Sequence, residues 1–139
     1  MTRIDFHTNI SDKVSYACRL ARKAYGARGK LVLLADSPAQ AASLNAQLWT
    51  ISDTDFLPHA LAGDALAAQS PIIVTDSVEG DFPHYDMLVN LTRSAPGGLE
   101  RFQRVFEIIS TDEEDAAAGR KRYIAYKQQS YPLTHFVAS

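Results

Sequence analysis

Three short apolar runs constrain the fold of this chain more than any other feature of its sequence. They are LVLLAD at residues 31–36, PIIVTD at 71–76 and DMLVNL at 86–91. Each run is almost continuously apolar, which is typical of a strand covered on both faces rather than of a strand with one solvated side. Such strands occur in sheets that carry helices on each face.

Segments with helical spacing of their apolar residues lie before and after the first of these runs. Residues 2–8 alternate as a first strand. The segment SDKVSYACRLARKAYGARGK at 11–30 then contains a helix that Ser11 can cap and that Gly26 and Gly29 end. SPAQAASLNAQLW at 37–49 is a second helix, with Ser37 as N-cap and proline at its first position. The chain therefore opens with the order strand, helix, strand, helix.

The remainder of the chain contains further predicted strands and helices. We predict a loop at 50–70, the two apolar strands named above, a turn at 94–98, a short helix at 99–103, a fifth strand at 104–110 and a last helix at 112–128. The sequence thus predicts an α/β fold: a three-layer sandwich with a mainly parallel central sheet of at least five strands, formed by one domain over residues 1–139.

Composition excludes several classes of protein. The formal net charge of -2 excludes a globally basic nucleic-acid binder but leaves room for a local basic patch. A single cysteine, Cys18, excludes an internal disulfide and a cysteine-based metal cluster, and it fits a reducing, cytoplasmic setting. No stretch approaches the roughly 20 apolar residues of a membrane span, and no secretory signal is visible, so no membrane partner is expected.

A phosphate-binding loop is not expected. GARGK at 26–30 resembles a fragment of such a loop, but it lies between a predicted helix and a strand, whereas phosphate binding requires a loop between a strand and a helix. The first strand-to-helix junction, HTNIS, contains no glycine. The expected fold is therefore like that of nucleotide-binding domains but without their phosphate loop, and no cofactor is predicted.

An enzymatic function stays open as an alternative. None of the four histidines pairs with another at a ligand spacing on one helix, and no serine lies in a G-x-S-x-G motif. A small α/β enzyme or nucleotide-binding domain would instead use polar groups at strand carboxyl ends, of which His7, Asp36 and Asp76 are the candidates. That hypothesis requires these three side chains to converge.

The last helix carries a more specific pattern. Arg120, Tyr123, Ile124 and Lys127 recur at i, i+3, i+4 and i+7, which places two cations around an aromatic and an aliphatic side chain on one face. Such a face suits an acidic peptide with an apolar tip, since arginine can bind a carboxylate while the other two line a pocket. The alternative is that Tyr123 and Ile124 are core residues and that the cations are solvated.

The segment LWTISDTDFLPH at 48–59 holds two large aromatic side chains, Trp49 and Phe56, on either side of a polar turn. Both residues could close the core over the edge of the sheet, as aromatic side chains often do. If they are exposed instead, they are anchors of a protein interface, where tryptophan is over-represented. Spacing alone does not decide between these two interpretations.

Several motifs in fixed order resemble one family across the chain. They are LW at 48–49, FLPH at 56–59, LAGD at 61–64, RYIAYK at 122–127 and YPL at 131–133. In this order they resemble the chi subunit of bacterial DNA polymerase III. The resemblance implies a non-catalytic accessory subunit on the clamp-loader side of the replicase, cytoplasmic, with no enzymatic activity and only indirect contact with DNA.

The resemblance also implies two protein-binding surfaces. Members of the family bind the acidic, phenylalanine-ended tail of single-stranded DNA-binding protein, and a second surface binds the psi subunit or a repair helicase. The tail site carries over to Arg120, Tyr123 and Ile124, with Arg122 and Lys127 nearby, and the second surface carries over to Trp49 and Phe56. Ile124 departs from the family, because a lysine often contributes to the tail pocket at that position.

Direct DNA binding is a third hypothesis. It would require the basic residues of the first and last helices to merge into one stripe that overcomes the net negative charge.

Overall fold

A parallel sheet, with seven strands among the residues that the structure describes, forms the centre of the molecule. The computed structural model describes residues 2–50, 57–64 and 67–138. In chain order its elements are β1 (Arg3–Ile10), α1 (Lys13–Gly26), β2 (Leu31–Leu34), α2 (Pro38–Thr50), β3 (His59–Leu61), β4 (Ile72–Thr75), β5 (Met87–Asn90), β6 (Arg104–Ser110), α3 (Glu113–Gln128) and β7 (Leu133–Val137).

The strand order is β3-β4-β2-β5-β6-β1-β7, so β3 and β7 are the two edges. The six strand pairs found in the described part of the chain are all parallel, and Ile4 of β1 lies between Val105 of β6 and Leu133 of β7. The predicted α/β class is therefore confirmed, and the sheet has two strands more than the predicted minimum of five.

Helices cover both faces of this sheet. Leu33 and Val89 pack on the side of α1 and α2, while their neighbours Val32 and Leu88 pack on the side of α3. This arrangement explains why the central strands are continuously apolar, since both sets of alternating side chains are buried. The prediction of a three-layer sandwich is confirmed.

Both edge strands were missed by the sequence patterns, and the prediction of a continuous loop over 50–70 is wrong at residues 59–61. β3 has only three residues, two of them half-buried. β7 reads LTHFV, with the polar residues Thr134 and His135 adjacent instead of alternating with apolar ones, and four of its five residues are exposed. Edge strands need little apolar surface, because one side of the strand and much of each face remain in contact with water.

The predicted helix boundaries are close, with one correction. Asp12, not Ser11, caps α1, because its carboxylate accepts a hydrogen bond from the backbone N–H of Ser15 at 3.1 Å. Ser37 does cap α2, where its hydroxyl accepts from the N–H of Gln40. Of the helices described, none is both long and apolar enough to cross a membrane.

Candidate functional site

A concave groove of about 600 Å³ lies at the β7 edge of the sheet, on the side covered by α3. Its walls are formed by β1 and β7, by the end of β6 and by one face of α3. The lining residues are Phe6, Thr8, Asn9, Ile109, Ser110, Thr111, Ala116, Gly119, Arg120, Tyr123, Ile124 and His135. We call this the α3 groove.

The α3 wall follows from helical geometry. Its lining residues Ala116, Arg120, Tyr123 and Ile124 recur three or four positions apart, so they share one face of the helix. The helix itself begins after Asp112, whose carboxylate accepts a hydrogen bond from the N–H of Asp115 at 3.1 Å. The cap and the three acids of the first turn complement the positive end of the helix and help to fix its start.

The floor of the α3 groove is apolar. Phe6 and Ile109 are buried in the core, and Tyr123 is half-buried above them. The rings of Phe6 and Tyr123 meet edge to face, with centroids 5.1 Å apart. A partner side chain inserted here would contact aromatic and aliphatic surface, which favours a bulky apolar residue.

The rim of the groove is polar and carries a cation. Arg120 is exposed there, and Ile124 is 57% exposed beside it. At the opposite wall, Nε2 of His135 forms a hydrogen bond of 2.8 Å with the hydroxyl of Thr8, which helps to orient the histidine ring. No acidic side chain is among the lining residues of the groove in the described part of the chain. The groove can therefore accept an anionic group at its rim and an apolar group at its floor.

Two predicted tail-site residues are not brought to the groove. Lys127 is exposed in the last turn of α3 but is not a lining residue. Arg122 turns toward the sheet and is 5% exposed, because residues two positions apart on a helix do not share a face. The structure thus brings together Arg120, Tyr123 and Ile124 and separates them from the other two cations.

Arg122 belongs to a buried polar network behind α3. Its Nε and Nη2 donate hydrogen bonds to Oε1 of Glu107 at 3.2 and 3.0 Å. The other carboxylate oxygen accepts from the hydroxyl of Tyr126 at 2.6 Å, and Asn90 donates to Oε1 at 2.8 Å. Burial raises the pKa of Glu107. The Arg122 guanidinium and the donated hydrogen bonds act in the opposite direction, because they favour the carboxylate form. This network attaches the back of α3 to β5 and β6.

The aromatic segment lies at the opposite edge of the sheet. Trp49, near the end of α2, is 55% exposed, and its ring lies 4.6 Å from the ring of His59 in β3. The interpretation of Trp49 as a core residue is therefore wrong. Phe56 lies outside the described residues. Because β3 and β7 are separated by six strand spacings of about 4.8 Å, Trp49 and the α3 groove are roughly 30 Å apart.

The alternative enzymatic site is not assembled. Asp36 and Asp76 follow the neighbouring strands β2 and β4, but His7 lies on β1, three strands away from β2, or about 14 Å. Within residues 2–50, 57–64 and 67–138, no group of three or more His, Cys, Asp or Glu side chains is arranged to hold a metal ion.

Comparison with known proteins identifies the family. The family model described as "DNA polymerase III chi subunit, HolC" matches residues 1–134. The chain belongs to the DNA polymerase III chi-subunit family. These proteins are accessory subunits of a replicative polymerase, so the resemblance noted in the sequence is confirmed.

Curated relatives carry the same family name. The DNA polymerase III subunit chi of Pseudomonas aeruginosa is 34% identical over 139 aligned residues, which cover 96% of this chain and 94% of the relative. The subunit chi of Haemophilus influenzae is 26% identical over 85% of this chain and 82% of its own length. That of Escherichia coli is 22% identical over 84% of this chain and 79% of its own length.

Sequence patterns had not indicated the floor and far wall of the groove in this chi-family chain. Phe6 and Ile109 read as ordinary strand residues, and His135 lies in the strand that was not predicted. Gly119 had no apparent role, yet its missing side chain lets α3 lie close to Ile109. A helical face with an isolated glycine opposite a strand end is the one signal that could have suggested a close approach.

Proposed function

We propose that this protein, as a single chi-like domain over residues 1–139, is a non-catalytic adaptor of the replicase in the bacterial cytoplasm. In this role the α3 groove binds the acidic, phenylalanine-ended tail of single-stranded DNA-binding protein and links it to the clamp-loader assembly. The observation that carries the proposal is the position of Arg120 at the rim of an apolar floor formed by Phe6, Ile109 and Tyr123.

The chemistry of such a tail matches the groove in two respects. Its terminal phenylalanine ring fits the aromatic floor, where Phe6 and Tyr123 already meet edge to face. Its terminal carboxylate lies next to that ring and can accept two parallel hydrogen bonds from the Arg120 guanidinium. No acidic side chain lines the described groove, so a tail carboxylate bound within it would not face a lining carboxylate.

The exposed surface around Trp49 supports the adaptor role. A partly exposed tryptophan is a strong anchor for a protein partner, and Trp49 at the β3 edge is far enough from the α3 groove for both to be occupied at once. We propose that the psi subunit or a repair helicase docks there, with Phe56 as a further contact residue. Contact with DNA through the tail partner is indirect.

A peptide titration tests the tail site. A synthetic acidic peptide ending in Pro-Phe should bind the wild-type protein at low salt, and binding should weaken as salt rises. Arg120→Ala should weaken it by about tenfold, which corresponds to about 1.4 kcal/mol. Tyr123→Ala should remove most of the apolar contact.

Matched controls locate the interaction. Lys127→Ala removes an equal charge from the same helix but outside the groove, so it should change binding much less than Arg120→Ala. A peptide with an amidated C-terminus should lose the contribution of Arg120 specifically. Equal effects of Arg120→Ala and Lys127→Ala, or no binding at low salt, would refute the assignment.

A further inference from the structure

A basic strip runs across the face of the sheet opposite to the α3 groove, and we propose that it binds single-stranded nucleic acid directly. The strip consists of Arg3 and Arg104 on the sheet and Arg19, Arg22 and Lys23 on α1. We call it the α1 strip. It is independent of the tail site, since none of its residues lines the α3 groove.

The distribution of charge along the chain creates this strip. Residues 13–30 contain six of the fourteen Lys and Arg residues and none of the sixteen Asp and Glu residues. The net charge of -2 is therefore the sum of a strongly basic segment and an otherwise acidic protein. Arg19, Arg22 and Lys23 are spaced by three and four positions, so they form one exposed face of α1.

Two adjoining grooves make the strip a continuous path. One, of about 440 Å³, lies between α1 and the β1–β7 edge and is lined by Arg3, Arg104, Arg19 and Lys23, among others. The other, of about 650 Å³, lies between α1 and α2 and is lined by Arg19, Lys23 and Arg22, with Gln47. Since Arg19 and Lys23 line both, a chain of phosphates could follow the cations from one groove into the next.

Negative charge on this path is limited to one residue. Asp5 is the only acid among the lining residues of the two grooves in the described chain. Its carboxylate is buried, is paired with Arg104 and Arg3, and accepts a hydrogen bond from Thr134. Five cations against one carboxylate leave a net positive surface, which is what a phosphate backbone requires.

Aromatic rings lie beside these cations. Tyr16, His7 and Phe136 form a row in the groove at the β7 edge, with ring centroids 5.5 Å apart for the first pair and 5.6 Å for the second. Phe136 is 55% exposed at the end of this row. The guanidinium carbon of Arg19 is 5.8 Å from the Tyr16 ring. Proteins that bind single strands without sequence preference combine such a cationic path with rings on which bases stack.

The geometry favours a single strand over a duplex. The rings lie within a concave groove, where only unpaired bases could reach and stack on them, whereas the bases of a duplex are already stacked inside it. The strip also adjoins the α3 groove across one strand. Phe136 lines the path on the α1 side, and its neighbour His135 lines the α3 groove. A single strand and a protein tail would thus lie on opposite faces of β7.

Fluorescence anisotropy with labelled oligothymidine and the full chain tests the proposal. The wild type should bind at low salt, and the logarithm of its binding constant should fall linearly with the logarithm of salt concentration. Arg19→Gln with Lys23→Gln should weaken binding by about tenfold and reduce the salt slope by about 1.4, since two phosphate contacts are lost. Phe136→Ala should weaken binding while leaving the salt slope unchanged.

Controls separate this site from other sources of binding. Lys121→Gln with Lys127→Gln removes the same charge from α3 and should leave oligonucleotide binding near wild type. Arg120→Ala should weaken binding of the acidic peptide by about tenfold but leave oligonucleotide binding near wild type, so the two proposals can be refuted separately. No binding to oligothymidine at low salt would overturn the proposal. Equal affinity for a duplex or for polyglutamate would also overturn it and would assign the strip to general anion or acidic-protein binding.

Discussion

Gly119 of α3 lies so close to Ile109 of β6 that a Cβ atom added to the glycine would be 2.8 Å from Ile109 Cδ1 and 3.1 Å from its Cγ1 and Cγ2. Ile109 is buried, so its side chain has little room to move away. The glycine is therefore required for the close approach of helix and strand that forms one end of the α3 groove.

Substitution of Gly119 should show whether the energetic cost of overpacking or the gain in helix propensity is larger. Gly119→Ala should destabilise the protein by about 1–3 kcal/mol, because the cost of overpacking exceeds the gain in helix propensity. Gly26→Ala is the matched control, since a Cβ atom there has no neighbour within 4 Å, and it should be neutral or slightly stabilising. Urea unfolding of both variants measures the difference. Equal stabilities would show that α3 or the Ile109 side chain shifts to accommodate the added Cβ atom without measurable cost, and that the glycine is not required.

The buried pair of Arg122 and Glu107 should matter for stability and not for tail binding directly. Arg122→Ala would leave the fully buried Glu107 carboxylate without its cation and should cost about 3–5 kcal/mol. Arg120→Ala removes an exposed charge two positions away and should change the free energy of unfolding by less than about 0.5 kcal/mol. Chemical denaturation checks both values. A small effect of Arg122→Ala would mean that Glu107 is neutral in the folded protein.

The central layers of the fold could be predicted from the sequence, but its edges could not. The runs at Leu31–Leu34 and Ile72–Thr75 are apolar because both of their faces are covered, so their pattern indicates strands and helices on each side. The edge strand Leu133–Val137 is mostly exposed and carries no such signal. His135 of that strand lines the far wall of the groove, so this part of the wall could not be predicted either.

The helical face of the candidate site was only partly predictable. Spacing correctly grouped Arg120 with Tyr123 and Ile124, because these positions share a face of any α-helix. It could not show that Lys127 extends past the end of the groove, since the length of the groove is set by β1 and β6. It also gave no reason to expect that Arg122 would find a buried carboxylate in β6.

Asp115 makes the stability of the protein sensitive to acid. Burial acts to raise its pKa, but the N–H of Ser110, at 2.6 Å, and the ammonium of Lys13, at 3.1 Å, hold it below the ordinary value of 3.8. A carboxyl with a lowered folded-state pKa contributes stability above its unfolded pKa and loses it as pH falls through the folded value. Stability should therefore decrease below about pH 4, as the carboxylate becomes protonated.

The variant Asp115→Asn tests this pH dependence. It should be less stable than wild type at neutral pH, because the pair with Lys13 is lost, and should lose less stability on acidification. Asp76→Asn, an exposed carboxylate after β4, is the control and should follow the wild-type curve. Urea unfolding at pH 7, 5 and 3 provides the measurement. An unchanged acid dependence in Asp115→Asn would assign acid sensitivity to other carboxylates, such as Asp5.

Ile124 offers a gain-of-function test of the α3 groove. Ile124→Lys would add a second cation at the rim beside Arg120 and should strengthen binding of the acidic peptide by about fivefold at low salt, or up to about 1 kcal/mol. The gain should disappear at high salt, because rim charges are screened. Ile124→Met keeps an apolar side chain and should leave the salt dependence unchanged. A gain from lysine that persists at high salt would contradict an electrostatic origin.

Trp49 is the only tryptophan of the chain and can report on the β3 edge by its own fluorescence. Trp49→Ala should cost about 1 kcal/mol or less in stability because the side chain is 55% exposed, whereas Leu48→Ala, at a buried neighbour, should cost about 2–5 kcal/mol. A partner that docks at this edge should shift the Trp49 emission to shorter wavelength. The acidic peptide, bound at the opposite edge, should leave the emission unchanged. A shift caused by the peptide would place its binding site at Trp49 instead of in the α3 groove.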